Sequence, residues 1–447
     1  MVYKDNMKEF PKLIISDKKG RIFDLPPLQA TGMKAGKIFP LEPGDLIKLP
    51  RDSEIFMLPE RSALGYDRSS GCFEEVIRNP FTSQPENSYA AAVFLAPGYS
   101  STYSASYRER AGAVQLPLFS YSAAAFYRGE FYAAGICVDR EKRQALQGMD
   151  MNLIKKNVGL FRKIFPGNRL VRHLETCALC YGCPAAKNFF LTRYEAPLPT
   201  SPNCNSRCIG CISLQEEGAC SVTQPRITFV PSPREIAEIA LFHIREVKEA
   251  VVSFGQGCEG EPLLAGEVIE KAVRIIRKST SKGVININTN ASRPETVRKL
   301  FEAGMDSMRV SMNSVREKYY NIYYNPGGYV FKDVLRSIKY ARKNGGFVSV
   351  NYLSMPGFTD AKKEADALLK FIACTGINMI QWRNLNYDPL EYIRKMRVNI
   401  SPKEMIGMDT LIRKIETEFP AVMKGYFNPS KQRVHRSRKR FQTSAHF

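Results

Sequence analysis

The chain has 447 residues, of which 44% are hydrophobic and 24% charged, and its formal net charge at pH 7 is +21. This composition is typical of a folded soluble protein with room for two or three domains. The first residues contain no apolar segment typical of a secretory signal, and the longest uncharged stretch, 111–127, contains Gln115 and Pro117 and is poorly suited to cross a bilayer. We therefore expect a cytoplasmic protein with no membrane span.

Residues 1–168 are predicted to form an N-terminal domain of unknown role. Proline, tyrosine and phenylalanine are scattered among short apolar runs, namely Ala90–Leu95, Gly112–Phe119 and Ala124–Val138. None of these runs has a decisive helical or strand period. We predict an α+β or mostly β fold for this part.

Residues 169–197 are predicted to be a cysteine-containing linker. Its three cysteines, Cys177, Cys180 and Cys183, have ferredoxin-like spacing. A fourth ligand could come from Cys220 or Cys258. Such thiolates would hold an auxiliary iron–sulfur cluster, and zinc would fit them too. Small buried cysteines without a metal are the open alternative. Because the chain has only 4 histidines, Cys/His zinc fingers are set aside, and any metal is expected to be bound mainly by sulfur.

Residues 198–390 alternate short apolar strands with helices. The predicted strands are Ala250–Phe254, Val284–Asn288, Met308–Met312, Phe347–Leu353 and Met379–Arg383, with a first strand near Ala196–Ser201. The predicted helices are Ile236–Val247, Thr296–Ala303, Phe331–Asn344 and Ala361–Thr375. Capping boxes at Ser232/Glu235 and Ser292/Glu295 begin the first two. About six βα units of this kind predict a parallel barrel, open or closed, with functional loops at the carboxyl ends of its strands.

Residues 391–447 are predicted to form a helix and a basic tail. Ser401 to Glu404 has the pattern of a helix cap, and the helix is expected to extend to Glu418. Beyond it the charged residues are all basic: Lys424, Lys431, Arg433, Arg436, Arg438, Lys439 and Arg440. Such a tail could contact the phosphates of a nucleic acid, or be a solvated, partly disordered terminus.

A compact cysteine motif, Cys204-x3-Cys208-x2-Cys211, lies just before the predicted barrel. It is one ligand short of a four-thiolate site. Three thiolates on one loop can hold a cubane and leave one iron open. Buried structural cysteines or a zinc site are the alternatives.

The spacing and context of these cysteines resemble the radical S-adenosylmethionine (SAM) superfamily. The segment Cys258-Glu259-Gly260-Glu261-Pro262, placed between a predicted strand and helix, is similar to the Gly-Gly-Glu-Pro element of that family, with Glu259 in place of the first glycine. The resemblance implies a partial parallel (β/α)6 barrel of radical SAM type.

It also implies a [4Fe-4S] cluster on Cys204, Cys208 and Cys211, with SAM chelated at the open iron. Residues expected to bind SAM are Gly260, Glu261 and Pro262 at its amino group and Ser311 and Asn313 at its ribose or carboxylate. Gly210 replaces an aromatic residue that often precedes the third cysteine. Other polar residues at predicted strand ends are Asn288, Thr289, Asn290, Asn351, Arg383 and Asn384.

The implied activity is reductive cleavage of SAM to a 5′-deoxyadenosyl radical, which abstracts hydrogen from an unidentified substrate. No catalytic side chain is predicted. An external electron donor such as ferredoxin or flavodoxin is an expected partner. The basic composition leaves two alternatives open: a zinc- or cluster-bearing RNA-binding module, and a radical SAM enzyme that modifies RNA.

Overall fold

The computed structural model describes residues 9–82, 86–141, 145–216 and 220–436. The chain forms two compact units. The first contains the chain up to Val138 with Ser354–Ala365 and Asn384–Ile412, and the second contains Asp139–Leu353, Asp366–Arg383 and the chain from Arg413. The divisions predicted at residues 168, 197 and 390 follow the chain, whereas these units are discontinuous. The predicted domain boundaries therefore stay a prediction.

The first unit is mostly antiparallel β-structure, in agreement with the mostly β alternative for the N-terminal region. Its strands are β1 Lys12–Ser16, β2 Ile22–Gln29, β3 Thr31–Lys34, β4 Lys37–Pro40, β5 Ile47–Lys48, β6 Glu54–Met57, β7 Arg61–Asp67, β8 Cys72–Val76, β9 Tyr89–Phe94, β10 Tyr99–Ser101, β11 Ser104–Ala105, β12 Tyr107–Glu109, β13 Ala124–Tyr127, β14 Glu130–Ala133 and β15 Gly135–Cys137. One sheet has the order β12-β7-β2-β1-β13-β14-β5, with β8 paired to β7 and β9 paired to both β1 and β6. Smaller sheets are β11-β3-β4 and β10-β15.

The apolar run Gly112–Phe119 contains no strand. Leu116 nevertheless belongs to a buried apolar core, together with Leu13, Ile15 and Tyr121. A loop can contribute apolar side chains to a core that is formed mainly by strands. An apolar run without helical or strand periodicity therefore does not predict a helix or a strand.

The second unit is built on one sheet of seven strands that lie side by side in chain order. They are β16 Glu195–Pro197, β17 Val251–Phe254, β18 Val284–Thr289, β19 Ser307–Met312, β20 Phe347–Ser354, β21 Met379–Asn384 and β22 Met423–Gly425. β16 to β20 pair in parallel, and so do β21 and β22. The six predicted strands are confirmed to within a few residues. The seventh strand, β22, was not predicted, because a strand of three residues shows no recognisable alternation of apolar and polar residues.

Most of the described helices connect and flank these strands, and one, Pro389–Met396, lies in the first unit. The described helices are α1 Met151–Ile164, α2 Arg169–Leu179, α3 Pro184–Phe190, α4 Pro233–Glu246, α5 Gly266–Ser279, α6 Pro294–Glu302, α7 Glu317–Tyr324, α8 Phe331–Lys343, α9 Lys362–Thr375, α10 Pro389–Met396 and α11 Met408–Glu418. Residues 169–197, predicted as a linker, therefore consist largely of α2, α3 and β16. Ser401 caps only a short 3-10 turn, Pro402–Glu404, and the helix predicted from it begins later, at Met408.

The sheet of the second unit curls into a partial barrel. Asn428 lies beyond β22. The Tyr194 hydroxyl donates a hydrogen bond to the Asn428 carbonyl oxygen, and the Asn428 side-chain amide donates to Glu195 Oε1 (2.8 Å). The segment that follows the last strand thus reaches the first strand. This contact brings the two edges of the sheet toward each other.

The interior of the barrel is layered. Apolar side chains fill it at the amino ends of the strands, namely Val251, Val284, Phe347 and Met379, with Tyr194 and Val434. Two positions further along each strand the interior is polar, with Ser253, Asn286, Ser349 and Gln381. The polar interior therefore opens toward the carboxyl ends, where the loops of a parallel barrel carry function.

Candidate active site

The loop that carries Cys204, Cys208 and Cys211 follows β16 and lies at the carboxyl ends of the strands. All three thiols are half-buried. The Cys211 N–H donates to the Cys208 carbonyl (3.2 Å), which turns the loop back on itself. The structure thus presents the three cysteines on one short, folded segment.

The Gly260-Glu261 turn holds one side of this loop. Gly260 N–H donates to Ser201 O, and Glu261 N–H donates to Asn203 O, both at 2.7 Å. A Cβ at Gly260 would overlap the Asn203 carbonyl oxygen. Glycine is required here because the backbone of the cysteine loop approaches it closely. The two motifs singled out in the sequence therefore form one structural feature.

The end of α7 holds the opposite side of the loop. Arg207 N–H donates to Tyr324 O (2.9 Å), and Ile209 N–H donates to Tyr323 O (3.0 Å). The Ser206 and Tyr329 hydroxyls are 2.8 Å apart. Hydrogen bonds on both sides hold the backbone of the cysteine loop.

Glu259, which stands where the family has glycine, is a buried positioning residue. Its carboxylate accepts four backbone N–H bonds, from Thr200 and Ser201 (2.8 and 3.0 Å) and from Gly255 and Gln256 (both 2.7 Å). Burial raises its pKa to about 7, while these N–H groups favour the ionised form. The side chain thus ties the segment before the cysteine loop to the turn after β17.

Glu261 ties the same turn to the end of β18. Its carboxylate accepts from Leu263 N–H (3.1 Å), Asn290 N–H (2.8 Å) and the Thr289 hydroxyl. Burial raises the pKa of Glu261 to about 7, opposed by these donors. The Asn290 side chain then donates to Asn205 Oδ1 (2.8 Å) in the cysteine loop. Thr289 and Asn290, noted in the sequence as strand-end residues, are part of this support.

The predicted capping box at Ser292 is wrong. Arg293 occupies the N-cap position of α6, with no side-chain cap hydrogen bond. The Ser292 hydroxyl instead accepts from Asn205 Nδ2 (3.0 Å). The local sequence pattern is overridden because the cysteine loop uses this side chain. By contrast, the capping box of Ser232 and Glu235 on α4 is confirmed.

Arg226 is a residue near the thiols that sequence reasoning missed. Its Nη2 lies 3.6 Å from Cys211 Sγ, and its Nε donates to Ser213 Oγ (3.0 Å). Burial acts to raise the Cys211 pKa, but hydrogen bonds from Ser213 and the charge of Arg226 outweigh it and lower the pKa. Arg226 lies outside helices and strands, so no periodic pattern marked it.

Ser311 and Asn313 lie at the carboxyl end of β19. Ser311 is partly exposed, and Asn313 is buried and donates to Tyr319 O (3.3 Å) at the start of α7. Both face the same end of the barrel as the cysteine loop. Their assignment to SAM stays a prediction.

Two arginines stand in the barrel interior. Arg309 on β19 donates to Gln381 Oε1 (3.1 Å) on β21, across the intervening β20, so both side chains point into the concave face. Arg383 on β21 donates to Asn351 Oδ1 (3.1 Å) and to Tyr426 O (2.6 Å). Burial and the charge of Arg383 lower the pKa of Arg309 to about 9.

The second cysteine triplet spans the end of α2 and the start of α3, and its predicted metal site stays a prediction. Cys177 is buried on α2, but Cys180 at the end of that helix is exposed. Of the two proposed fourth ligands, Cys258 joins Cys177, and so does His173, which sequence reasoning missed. Its spacing of four residues from Cys177 on one helix was a usable signal.

The described part of the basic tail is folded onto the second unit. Lys424 pairs with Glu416 (2.7 Å), and Arg433 pairs with Asp139 (3.6 Å). Lys431 donates to Ser281 O. Arg438, Lys439 and Arg440 lie outside the described residues. Of the described helices, none has the length and apolar character needed to span a membrane.

Comparisons with known proteins give a family match for part of the chain. Residues 198–372 match the family model of the radical SAM superfamily. No curated protein matches the chain. Similar solved structures include methylornithine synthase (PylB; 16% identity, 60% of this chain and 77% of that chain, TM-score 0.35), SuiB of Streptococcus suis bound to precursor peptide SuiA (13%, 66% and 67%, 0.37) and HydG, the FeFe-hydrogenase maturase of Carboxydothermus hydrogenoformans (13%, 64% and 72%, 0.36). At these TM-scores the likenesses say nothing about substrate or reaction.

The matched residues contain the cysteine loop, the Gly-Glu-Pro turn and the strands β17 to β20. Members of the family normally use a [4Fe-4S] cluster and SAM. The chain therefore carries a radical SAM domain within residues 198–372.

Proposed function

We propose that Cys204, Cys208 and Cys211 hold a [4Fe-4S] cluster and that SAM binds at its open iron. When bound, the cluster and SAM supply a 5′-deoxyadenosyl radical, by reductive cleavage of SAM, for hydrogen abstraction from the substrate. The observation that carries the proposal is the direct hydrogen bond between the two motifs, Glu261 N–H to Asn203 O (2.7 Å). It couples the thiol-bearing loop to the edge expected to meet SAM.

The closely spaced thiols of Cys204, Cys208 and Cys211 would be stabilised as thiolates by the positive charge of the iron ions. Burial raises the pKa of Cys204 to about 11, and burial followed by the neighbouring Cys211 and Cys204 raises that of Cys208 well above its ordinary value. Three thiolates this close repel one another unless cations lie between them, and metal ligation requires them to be deprotonated. Arg226 supplies one positive charge beside Cys211.

For SAM we propose contacts from the main chain of Gly260, Glu261 and Pro262 and from Ser311 and Asn313. The main chain is favoured over the Glu261 carboxylate because that carboxylate already accepts three hydrogen bonds within the protein. Glu259 is likewise engaged by four N–H donors. The side chains of both glutamates therefore position the turn, and the main chain of the turn is proposed to contact SAM.

For the substrate we propose an anionic group, a carboxylate or phosphate. In the described part of the chain the Arg309 guanidinium donates to the neutral Gln381 side chain, and its Nε is buried without a partner there. The Glu195 carboxylate offsets part of the Arg309 charge without a direct ion pair, and an anion in the polar interior would stabilise the guanidinium further. Arg383, which acts on Arg309 by charge repulsion, adds a second cation to the barrel interior.

Further partners remain proposals. An external donor such as ferredoxin or flavodoxin would deliver the electron. An RNA substrate is supported only by the net charge of +21, since Lys424 and Arg433 are engaged in ion pairs. A second iron–sulfur cluster on Cys177, Cys180 and Cys183 stays a prediction, and Cys180 is its exposed member.

The cluster proposal is tested with Cys204→Ala, purified and reconstituted without oxygen. We expect this variant to lose the iron, the sulfide and the thiolate-to-iron absorption of one cluster. Cys374→Ala, which removes an exposed cysteine on α9, is the matched control and should keep all three. Unchanged iron and sulfide in Cys204→Ala would overturn the assignment.

A further inference from the structure

Three side chains outside the Cys204 loop converge on one point. His173 Nε2 lies 3.5 Å from Cys177 Sγ, and these two atoms and Cys258 Sγ all lie within 4.8 Å of one another. Across the described ranges, no other three His, Cys, Asp or Glu side chains have ligand atoms this close. The cysteines of the Cys204 loop do not meet this limit, although they share one short segment.

The separation of the atoms distinguishes a single ion from a cluster. A tetrahedral zinc ion, with bonds of about 2.3 Å to sulfur and about 2.0–2.1 Å to nitrogen, holds its ligand atoms roughly 3.5–3.8 Å apart. In a cubane each thiolate binds a different iron, so the sulfurs lie further apart. The spacing at His173, Cys177 and Cys258 needs only a small contraction to enclose one ion.

From this geometry we propose a second metal centre in which His173 Nε2, Cys177 Sγ and Cys258 Sγ bind a single thiophilic divalent cation, zinc in the first instance. Thiolate and imidazole together are a donor set that suits zinc. Cys183 is assigned the fourth position, since its N–H donates to the Cys177 carbonyl (2.9 Å) and sets the two residues side by side. Cys180, exposed at the end of α2, takes no part.

The ligands stand on fixed elements. His173 and Cys177 are one turn apart on α2 and share a face. The start of α2 is anchored to α4, because Asn168 Nδ2 donates to Glu235 O (3.0 Å) and Arg169 pairs with Glu235 (2.8 Å). The backbone of Cys258 is held by Ile227 N–H, which donates to its carbonyl oxygen (2.7 Å). A site of this kind is preorganised, and its thiols are nearly inaccessible, with exposed fractions of 1% and 3% for Cys177 and Cys258.

The centre has a structural consequence for the active site. Cys258 directly precedes Glu259, Gly260 and Glu261, which hold the Cys204 loop. An ion at Cys258 therefore braces that turn against α2. Its ligands are separate from Cys204, Cys208 and Cys211, so the centre does not depend on the cluster proposal and can be measured without SAM cleavage.

The test is elemental analysis of the full chain in which Cys204, Cys208 and Cys211 are all changed to alanine, so that iron on the loop cannot confuse the count. We expect one equivalent of zinc to be retained. Adding Cys258→Ala or His173→Ala should lower this to well below half an equivalent, while adding Cys180→Ala should leave it unchanged. Circular dichroism checks that each variant is folded.

A cobalt titration keeps the proposal testable if an alanine variant misfolds. Co²⁺ bound to the intact set should give thiolate charge-transfer absorption, and His173→Cys should keep the metal while increasing that absorption. Absence of any bound metal would overturn the proposal. So would iron and sulfide that depend on Cys180, which would instead establish a cluster on Cys177, Cys180 and Cys183.

Discussion

At the residue scale, Gly260 shows that a motif can be recognised in the sequence although the structural reason for its glycine cannot be predicted there. The Gly-Glu-Pro resemblance identified the position, but the close neighbour of Gly260 is the Asn203 carbonyl rather than a ligand. Likewise the role of Glu259 depends on four backbone donors from two distant segments. Such contacts depend on the folded backbone, which motif spacing does not describe.

We predict that Gly260→Ala displaces the cysteine loop. The added methyl group meets backbone rather than a movable side chain, so the loop must shift. Reconstituted iron should fall to less than half, and SAM cleavage by at least tenfold. Gly159→Ala on α1, where a Cβ meets nothing within 4 Å, is the control and should match the wild type. Full iron loading of Gly260→Ala would contradict the assigned contact.

His243 is the residue from which we expect a pH dependence of stability. It is fully buried on α4, its Nδ1 has no partner in the described structure, and burial lowers its pKa to about 4. Because the unfolded chain binds this proton near pH 6.5, stability is highest above that pH and falls as the pH drops toward 4. By pH 5 the loss is about 2 kcal/mol.

Urea unfolding of the second unit at pH 7.5 and pH 5 measures this loss. His243→Leu cannot take up the proton, so its decrease in free energy of unfolding should be smaller than that of the wild type by that amount. Equal decreases in the two proteins would exclude His243 as the group responsible.

At the scale of elements, prediction succeeded where a strand or helix is defined by its own residues. The strands β17 to β21 are short Val- and Ile-rich segments, separated by helices with glycine at their ends, and both signals are local. The strands of the first unit pair mostly with partners far along the chain, such as β1 with β13 and β9, and their lengths follow from those partners. The predicted helix cap at Ser292 is wrong for a related reason: a distant residue, Asn205, donates a hydrogen bond to the Ser292 hydroxyl.

The start of α10 gives a prediction for the first unit. Asp388 caps this helix at Leu390 N–H (3.0 Å), accepts from the Tyr107 hydroxyl (2.7 Å) and pairs with buried Arg61 (3.2 Å). Asp388→Ala leaves the Arg61 charge without this partner, and we expect a loss of about 3–5 kcal/mol in the free energy of unfolding. Glu74→Ala on the exposed strand β8 should change it by less than about 0.5 kcal/mol. Comparable losses in the two variants, measured by denaturant titration, would contradict the account.

At the scale of the whole molecule, the two compact units are discontinuous in sequence, which a reading along the chain could not predict. The barrel interior was equally hidden. Arg309 was not marked by any motif, and Arg383 was noted only as a strand-end residue, yet both stand in the barrel interior. The direction of a strand side chain depends on register and on closure of the sheet.

The two arginines predict an effect of anions on stability. Inorganic phosphate should raise the unfolding temperature of the wild type above that in chloride at equal ionic strength, because it can pair with the two guanidinium groups of the barrel interior. Arg309→Gln should lose most of this increase. Arg274→Gln, which removes an exposed arginine on α5, should keep it. A phosphate effect that is the same in all three proteins would rule out the interior as the anion site.

The central claim is that the Cys204 loop and the Gly-Glu-Pro turn form one SAM-cleaving site. The most direct measurement is 5′-deoxyadenosine formed from SAM by the anaerobically reconstituted enzyme with dithionite as reductant. The wild type and Cys374→Ala should form it at the same rate, and Cys204→Ala should form none above the background without enzyme. A wild type with a full complement of iron that forms no 5′-deoxyadenosine, or a Cys204→Ala variant that still does, would contradict the account.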